Sequence, residues 1–295
     1  MSKNIGLILE GGGLRGLYTA GVLDFFTDLK LEFQSIFGVS AGACNALSYI
    51  SGQRGRNYDV NISYCDDPRY ISLSNYLLQG SMCGEDFMFH RIPEELKPFD
   101  YDAFAASPCR LTAVATDCVT GRAVYLPVED CRTQMNRVLA SSSLPLVSRM
   151  VEVDGHKMLD GGIADSIPLE HSISQGNTLN VLVLTRPEGY RKGDTVSSLQ
   201  FRLRYPEYPR LVRAMLNRPT IYNHSLDVAA AQQATRKAVI IRPSRDLQIR
   251  RFERDRRKLH ELYLLGYTDA KNAYDGVKAL CRGAANVTLG GRPVE

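Results

Sequence analysis

Residues 5 to 51 alternate between short apolar runs and glycine-bounded helical stretches, a pattern that few folds accept. Ile5 to Glu10 is an apolar run that ends in Gly11-Gly12-Gly13-Leu14-Arg15-Gly16. Leu14, Tyr18, Val22, Phe25 and Leu29 then recur at helical spacing, which predicts a helix to about Lys30. Ile36 to Val39 reads as a second buried strand, and Ala43, Leu47 and Ile50 mark a second helix over Ala41 to Ser51. Strand, helix and strand in this order make a βαβ unit, since parallel strands need a crossover.

Ser40 sits between the second strand and its helix in the pattern Gly38-Val39-Ser40-Ala41-Gly42. A strand that turns straight into a helix crowds the positions two residues either side of the turn, so glycine is preferred there. The turn pushes the serine hydroxyl out at the carboxyl end of the strand, facing the first N–H groups of the helix. Such a pentapeptide also suits a tight turn that merely lets helix and sheet approach. The strand before it, the helix after it and the glycine cluster one unit earlier favour a nucleophile elbow.

The earlier loop matches Gly-x-Gly-x-x-Gly, so a dinucleotide site has to be weighed. That site wants an acidic residue at the end of the second strand. Here the strand ends in Val39-Ser40, and the nearest acid, Glu32, precedes it. A phosphate loop would need a Gly-Lys-Ser/Thr ending, which is missing. The same physics serves an oxyanion hole: successive glycines let backbone N–H groups face one point, and a helix N-terminus adds positive potential. Gly11, Gly12, Gly13, Leu14 and Arg15 are the candidate residues, with Arg15 steadying the loop or the developing charge, or simply solvated.

From Gln53 to Ser107 short helical segments are broken by Asp67-Pro68, Gly80, Gly84, Pro93 and Pro98. This reads as an excursion that covers or flanks the site, with Phe87, Met88, Phe89 and Tyr101 supplying apolar side chains; the alternative is that they are ordinary core. Leu111 to Thr116 is a buried strand, Ala123 to Leu126 its partner across a turn at Gly121, and Asp130 to Ala140 a helix. Met150 to Leu159 is a hairpin around Asp154-Gly155 that delivers Asp160-Gly161-Gly162. Pro168 suits the first turn of a short helix. Asn180 to Thr185 is a continuous apolar strand, as in a sheet covered on both faces. Helix follows over most of Tyr205 to Arg236, one more strand at Ala238 to Ile241, and a final helix at Leu259 to Leu280. The expected fold is α/β: a mostly parallel central sheet with helices on both faces, formed as one unit over residues 1–295.

Composition narrows the functional classes. A chain of 295 residues with 44% apolar content buries a sizeable core. No apolar run approaches the length of a membrane span, and Ile5 to Leu9 is too short for a signal peptide. Seven cysteines without Cys-x-x-Cys pairs suggest neither a disulfide framework nor a zinc site, so a reducing cytoplasm is expected and no metal or cofactor is called for. Cys44, one helical turn after Ser40, is expected to pack beneath the elbow. The net charge of +4 conceals a basic stretch from Arg236 to Lys258; the rest of the chain is slightly acidic. Basic character confined to one segment argues against a nucleic-acid surface and leaves two readings, a solvated helix end or transient docking on an anionic membrane surface.

Taken together, Gly11-Gly12-Gly13-Leu14-Arg15-Gly16, Gly38-Val39-Ser40-Ala41-Gly42, Ala140-Ser141-Ser142-Ser143-Leu144-Pro145 and Asp160-Gly161-Gly162 resemble the motifs of the patatin-like phospholipase family. The resemblance covers roughly residues 5 to 185 and implies a three-layer α/β/α fold. It implies hydrolysis of fatty acyl esters by a Ser–Asp dyad, as in a phospholipase A or lysophospholipase. By motif position Ser40 would be the nucleophile, Asp160 its base, and the N–H groups around Gly12, Gly13 and Leu14 the oxyanion donors. An aspartate can take the serine proton if partial burial lifts its pKa toward neutrality. On its own, Asp-Gly-Gly at a hairpin end is ordinary turn chemistry.

Two other readings stand beside this one. A Ser-His-Asp triad would need a histidine after the acid, and His171 and His224 are the candidates, since His156 precedes Asp160. A non-catalytic lipid- or partner-binding protein on the same scaffold is the other. Retention of both Ser40 and Asp160 weighs against it.

Overall fold

The computed structural model describes residues 3–193 and 198–294. The chain opens with β1 (Ile5–Leu9), a short 3-10 turn over the glycine loop, α1 (Gly16–Asp28), β2 (Leu31–Phe33), β3 (Ser35–Val39) and α2 (Ala41–Ile50). An excursion carries α3 (Arg56–Tyr64), α4 (Leu73–Gln79), a π-helical stretch at Phe87–Leu96 and α5 (Tyr101–Ala106). Then come β4 (Arg110–Asp117), β5 (Ala123–Val128), α6 (Cys131–Ser142), the hairpin β6 (Val151–Val153) and β7 (His156–Asp160), α7 (Leu169–Ser174) and β8 (Leu179–Val183). The last part is α8 (Ser198–Arg204), α9 (Pro209–Ala234), β9 (Ala238–Ile241), α10 (Arg256–Cys281), β10 (Val287–Leu289) and β11 (Arg292–Pro293).

Eight strands form the central sheet in the order β6-β7-β4-β3-β1-β8-β9, with β5 also on β4. The run β4-β3-β1-β8-β9 is parallel, and β5, β7 and β6 attach antiparallel. Alternate residues of each parallel strand face opposite ways, and both faces are covered. Ile5, Leu7 and Leu9 of β1 join the cluster under α1, α2 and α10, while Ile8, Phe37 and Leu182 join Leu169 of α7 and Tyr222 and Ala229 of α9. This is the expected three-layer α/β/α arrangement, and it explains why β1, β3 and β8 read as apolar throughout.

The last part of the chain is built into the core. Helices α1 and α10 cross at backbone contact: a Cβ on Gly21 would stand 2.1 Å from the Tyr263 carbonyl oxygen, and one on Gly266 2.1 Å from that of Tyr18. Two buried pairs lock the crossing, with Tyr18 donating to Asp269 at 3.1 Å and Tyr263 to Asp24 at 2.8 Å.

The structure departs from the sequence reading at several points. The helix expected from Leu14 begins at Gly16, because Gly13–Arg15 form a 3-10 turn. The sequence reading has no strand at β2, β10 or β11, which form a separate three-stranded sheet with β10 in the middle. Of the excursion's aromatics, Phe87 is core and Tyr101 stacks edge-on with Phe99 at 4.9 Å, whereas Met88 and Phe89 do line a cavity.

Candidate active site

Strand register brings the elbow and the hairpin end together. On β4, one edge is taken by β5 from Leu111 to Thr116. Both β3, whose Val39 lies opposite Val114, and β7, whose Asp160 lies opposite Ala115, overlap that range and therefore share the other edge. The carboxyl end of β3 thus meets the carboxyl end of β7, and Ser40 stands beside Asp160.

Each partner is fixed from the segment after α6. The Ser40 N–H donates to Ser141 Oγ at 2.9 Å, and the Asp160 N–H donates to the Ser143 carbonyl at 2.7 Å. Ser40 holds φ 54° and ψ −124°, a conformation that L side chains rarely adopt. The elbow glycines are required by contact. A Cβ on Gly42 would lie 2.2 Å from the Leu9 carbonyl oxygen, and one on Gly38 2.5 Å from Ala43 Cα.

The Asp160 carboxyl group is buried and asymmetric. Oδ1 accepts the Gly162 N–H at 2.7 Å, while Oδ2 is buried without a hydrogen-bond partner of regular geometry among the described residues. Burial pushes its pKa up; the Ser40 hydroxyl, the Arg218 guanidinium, the Gly162 N–H and Arg251 oppose that shift. A buried carboxyl with one open oxygen facing a serine hydroxyl has the chemistry of a proton acceptor.

The glycine loop curls in front of this pair. A Cβ on Gly11 would meet Ser40 Cβ at 2.8 Å, so loop and elbow touch. Gly13 has φ +60°, and a side chain there would strike the Arg251 carbonyl at 2.6 Å. Among the described residues the N–H groups of Gly12 and Gly13 have no protein acceptor, but that of Leu14 donates to the Arg251 carbonyl at 2.9 Å. Leu14, expected among the oxyanion donors, is therefore an anchor of the loop. Arg15 is half-buried and held down to about 10, chiefly by burial and by Arg186 and Arg251, with its Nε buried and unpartnered.

Ser40 lies at the junction of two cavities. One, of about 160 Å³, is mainly apolar and lined by Leu47, Val60, Ile71, Met88, Phe89 and Ile92 among others. Cys44 also lines it, with Sγ 3.3 Å from Ser142 Oγ, and is half-buried against the core one turn after Ser40. The second cavity is small and polar, and it contains Asp160, the glycine loop and several cationic side chains. All five histidines have partners elsewhere: His90 Glu94, His156 Asp117, His171 the stacked ring of Tyr125, His224 Glu170, and His260 Tyr58. None lines either cavity.

A family model described as patatin-like phospholipase matches residues 7–173, from the first strand through α7. The chain belongs to the patatin-like phospholipase family. A second model, described as a domain of unknown function, matches residues 208–282. The uncharacterized protein YjjU of Escherichia coli (strain K12) is 29% identical over 195 residues, covering 62% of this chain and 52% of YjjU. An uncharacterized NTE family protein of Mycobacterium tuberculosis, Rv1063c (strain ATCC 25618 / H37Rv), is 25% identical over 169 residues, covering 57% and 45%. The chain thus spans about half the length of the curated relatives it matches. Among solved structures, VipD from Legionella pneumophila is similar with a TM-score of 0.44 and 11% identity, over 93% of this chain and 67% of that one.

The patatin-like match ends before several residues that reach the site, none of which the sequence reading singled out. Tyr222 of α9 donates to Glu10 Oε1 at 2.9 Å, and Thr185 donates its N–H and hydroxyl to Glu10 Oε2 at 2.6 and 3.1 Å. This buried carboxylate ties α9 and the end of β8 to the base of the glycine loop. Arg251 comes from the basic stretch, and several of its neighbours are paired: Arg242 with Glu188, Arg245 with Glu261, and Arg256 with Asp66.

Proposed function

We propose that this chain is a serine acyl hydrolase that cleaves fatty acyl esters of lipids through a Ser40–Asp160 dyad. The observation that carries the reading is the unpartnered, buried Oδ2 of Asp160 beside a strained Ser40, with every histidine engaged elsewhere. That arrangement favours the dyad over a Ser-His-Asp triad.

In the first half-reaction Ser40 Oγ attacks the ester carbonyl carbon while its proton passes to Asp160 Oδ2. The carbonyl oxygen becomes an oxyanion facing the N–H groups of Gly12 and Gly13, each such donor being worth about 3 kcal/mol in serine hydrolases. Collapse of the tetrahedral intermediate breaks the C–O bond, and the alcohol leaves with the proton from Asp160. In the second half-reaction water attacks the acyl-enzyme, gives its proton to Asp160, and collapse releases the fatty acid and returns a proton to Ser40. The acyl chain occupies the apolar cavity throughout.

Contact with a lipid surface fits the outside of the molecule. Leu73, Leu77 and Leu78 of α4 and Leu199 and Leu203 of α8 are exposed. Both helices adjoin the Leu144–Ser148 segment beside the elbow: the Val147 carbonyl accepts from Met82 after α4, and the Leu146 N–H donates to Tyr205 after α8. Arg242, Arg245, Arg256 and Arg257 of the basic stretch are paired with carboxylates and Arg251 faces the site, so we take the leucines as the docking surface. No described helix is long and apolar enough to cross a membrane. All seven cysteines are unpaired thiols, which suits a reducing cytoplasm.

Hydrolysis of an ester series by wild type and Ser40→Ala, together with fluorophosphonate labelling, tests the reading. Ser40 should carry the label, and the alanine variant should lose activity while staying folded. A label on another serine, or full activity in Ser40→Ala, rules the assignment out.

A further inference from the structure

The second cavity beside Ser40 has a charge balance that hydrolysis of a neutral ester does not call for. Arg15, Arg186, Lys192, Arg218 and Arg251 converge there against two carboxyl groups, Glu10 and Asp160. Glu10 is already held by Tyr222 and Thr185, and Asp160 faces Ser40. Several arginines elsewhere do pair with carboxylates, as Arg54 does with Asp28 and Arg191 with Asp227. Among the described residues these five cationic groups make no ion pair and no side-chain hydrogen bond, and the Nε atoms of Arg15 and Arg218 are buried without a partner. Two rest on aromatic faces, Arg186 over Tyr190 at 4.5 Å and Lys192 over Tyr222 at 4.4 Å, which holds them without neutralising them.

An uncompensated cluster of this kind costs stability unless an anion completes it. One transient oxyanion charge does not offset the excess of five cationic groups over two carboxyl groups, and the oxyanion already has backbone donors. Position supplies the remaining constraint. Ser40 lines both cavities, so an ester seated at its hydroxyl with the acyl chain in the apolar cavity directs its alcohol portion into the cationic one.

We propose, building on the hydrolase reading above, that this cavity seats a phosphate group carried by the alcohol portion of the substrate, so that the preferred ester is an acylated phosphomonoester. A phosphomonoester carries a charge between −1.5 and −2 at neutral pH, with three acceptor oxygens. Guanidinium groups match that geometry in bidentate fashion. Lys192 belongs to the same cluster: burial and its cationic neighbours hold its pKa down to about 7, and a bound dianion would favour its charged form. Four of the five cations lie between residues 186 and 251, outside the patatin-like match, so this selectivity belongs to the part of the chain that the family model does not reach.

The test compares three esters with one acyl chain: a monoacylglycerol phosphate, the monoacylglycerol and the monoacylglycerophosphocholine. Wild type should cleave the phosphate ester with kcat/KM at least about tenfold above the other two, the scale of one charge-assisted hydrogen bond. In Arg218→Gln and Lys192→Gln, with folding checked by melting, that ratio should fall toward one. Equal kcat/KM for the three esters in active wild type overturns the proposal. Competitive inhibition by inorganic phosphate without any preference among the esters also overturns it, assigning the cavity to a free anion. A calorimetric arm with Ser40→Ala separates this proposal from the hydrolase reading. If no ester is cleaved at all, tighter binding of the phosphate ester than of the neutral one still supports the cavity's role, and equal binding sinks it.

Discussion

The backbone at Ser40 allows a measurement of what the elbow costs the fold. With φ 54° and ψ −124°, Ser40 occupies a region open to glycine and strained for other residues. Strain of this kind costs on the order of 1–3 kcal/mol. Ser40→Ala keeps a Cβ and hence the strain, while Ser40→Gly removes it. Both lose the hydroxyl and its contact with Asp160, so that loss cancels between them. Glycine also loses about 0.5–1 kcal/mol through the greater freedom of its unfolded chain. The balance leaves Ser40→Gly more stable than Ser40→Ala by about 1 kcal/mol, within a range of roughly 0–2.5 kcal/mol, worth roughly 2–4 °C in melting temperature for each kcal/mol in a large domain. Urea unfolding of the two variants side by side gives the difference, and both should be inactive. If Ser40→Ala proves as stable as Ser40→Gly or more so, the elbow is not strained, and the link between that geometry and function fails.

Further outcomes are expected at the loop, the cavities and the surface. Gly13→Ala, whose Cβ would strike the Arg251 carbonyl at 2.6 Å, should lower kcat on the order of 10²-fold with little change in KM, because the oxyanion exists in the transition state; a change in KM alone contradicts the donor assignment. Soluble esters should show a chain-length optimum near six to eight carbons, since a cavity of about 160 Å³ resembles the ~150 Å³ cavity that accepts benzene; steady improvement to sixteen carbons would show the cavity to be misread. Leu77→Glu with Leu78→Glu should weaken binding to lipid vesicles while soluble ester turnover stays at the wild-type rate, and undiminished vesicle binding would remove α4 from the docking surface. Asp160→Asn should abolish hydrolysis while His156→Gln, His171→Gln and His224→Gln retain most of it. Activity should fall as pH drops through the raised pKa of Asp160, and Arg218→Gln, by removing a cation that lowers that pKa, should move the acid limb of kcat/KM to higher pH; an unmoved limb separates Arg218 from the base.

Much of this arrangement was legible in the sequence because it rests on local patterns. Strands β1, β3 and β8 are apolar on consecutive residues because both faces are covered, and the hairpin before Asp160 is announced by Asp154-Gly155. What escaped notice depends on pairing across long separations. Leu31-Glu32-Phe33 is too short to read as a strand, and only the segment 287–289 that pairs with it makes it one. Cys44 does pack against the core beside Ala43 and Ala46, but it also lines the apolar cavity, which one turn's spacing from Ser40 does not reveal.

The basic stretch carries the deepest lesson about reading charge from sequence. Counted along the chain, Arg236 to Lys258 is one cationic segment with one expected role. Folded, it divides. Arg242, Arg245 and Arg256 meet carboxylates on the surface, whereas Arg251 turns inward, offers its carbonyl to Leu14 and its guanidinium to the cavity beside Ser40. The same residue therefore shapes the glycine loop through its backbone and the charge of the cavity beside Ser40 through its side chain. A glycine at position 13 is what lets it come so close, since any Cβ there would collide with it. The motif-bearing part of the chain thus supplies Ser40, Asp160 and the glycine loop. Their final geometry and electrostatics are set by residues that arrive from α9 and from the loop before α10.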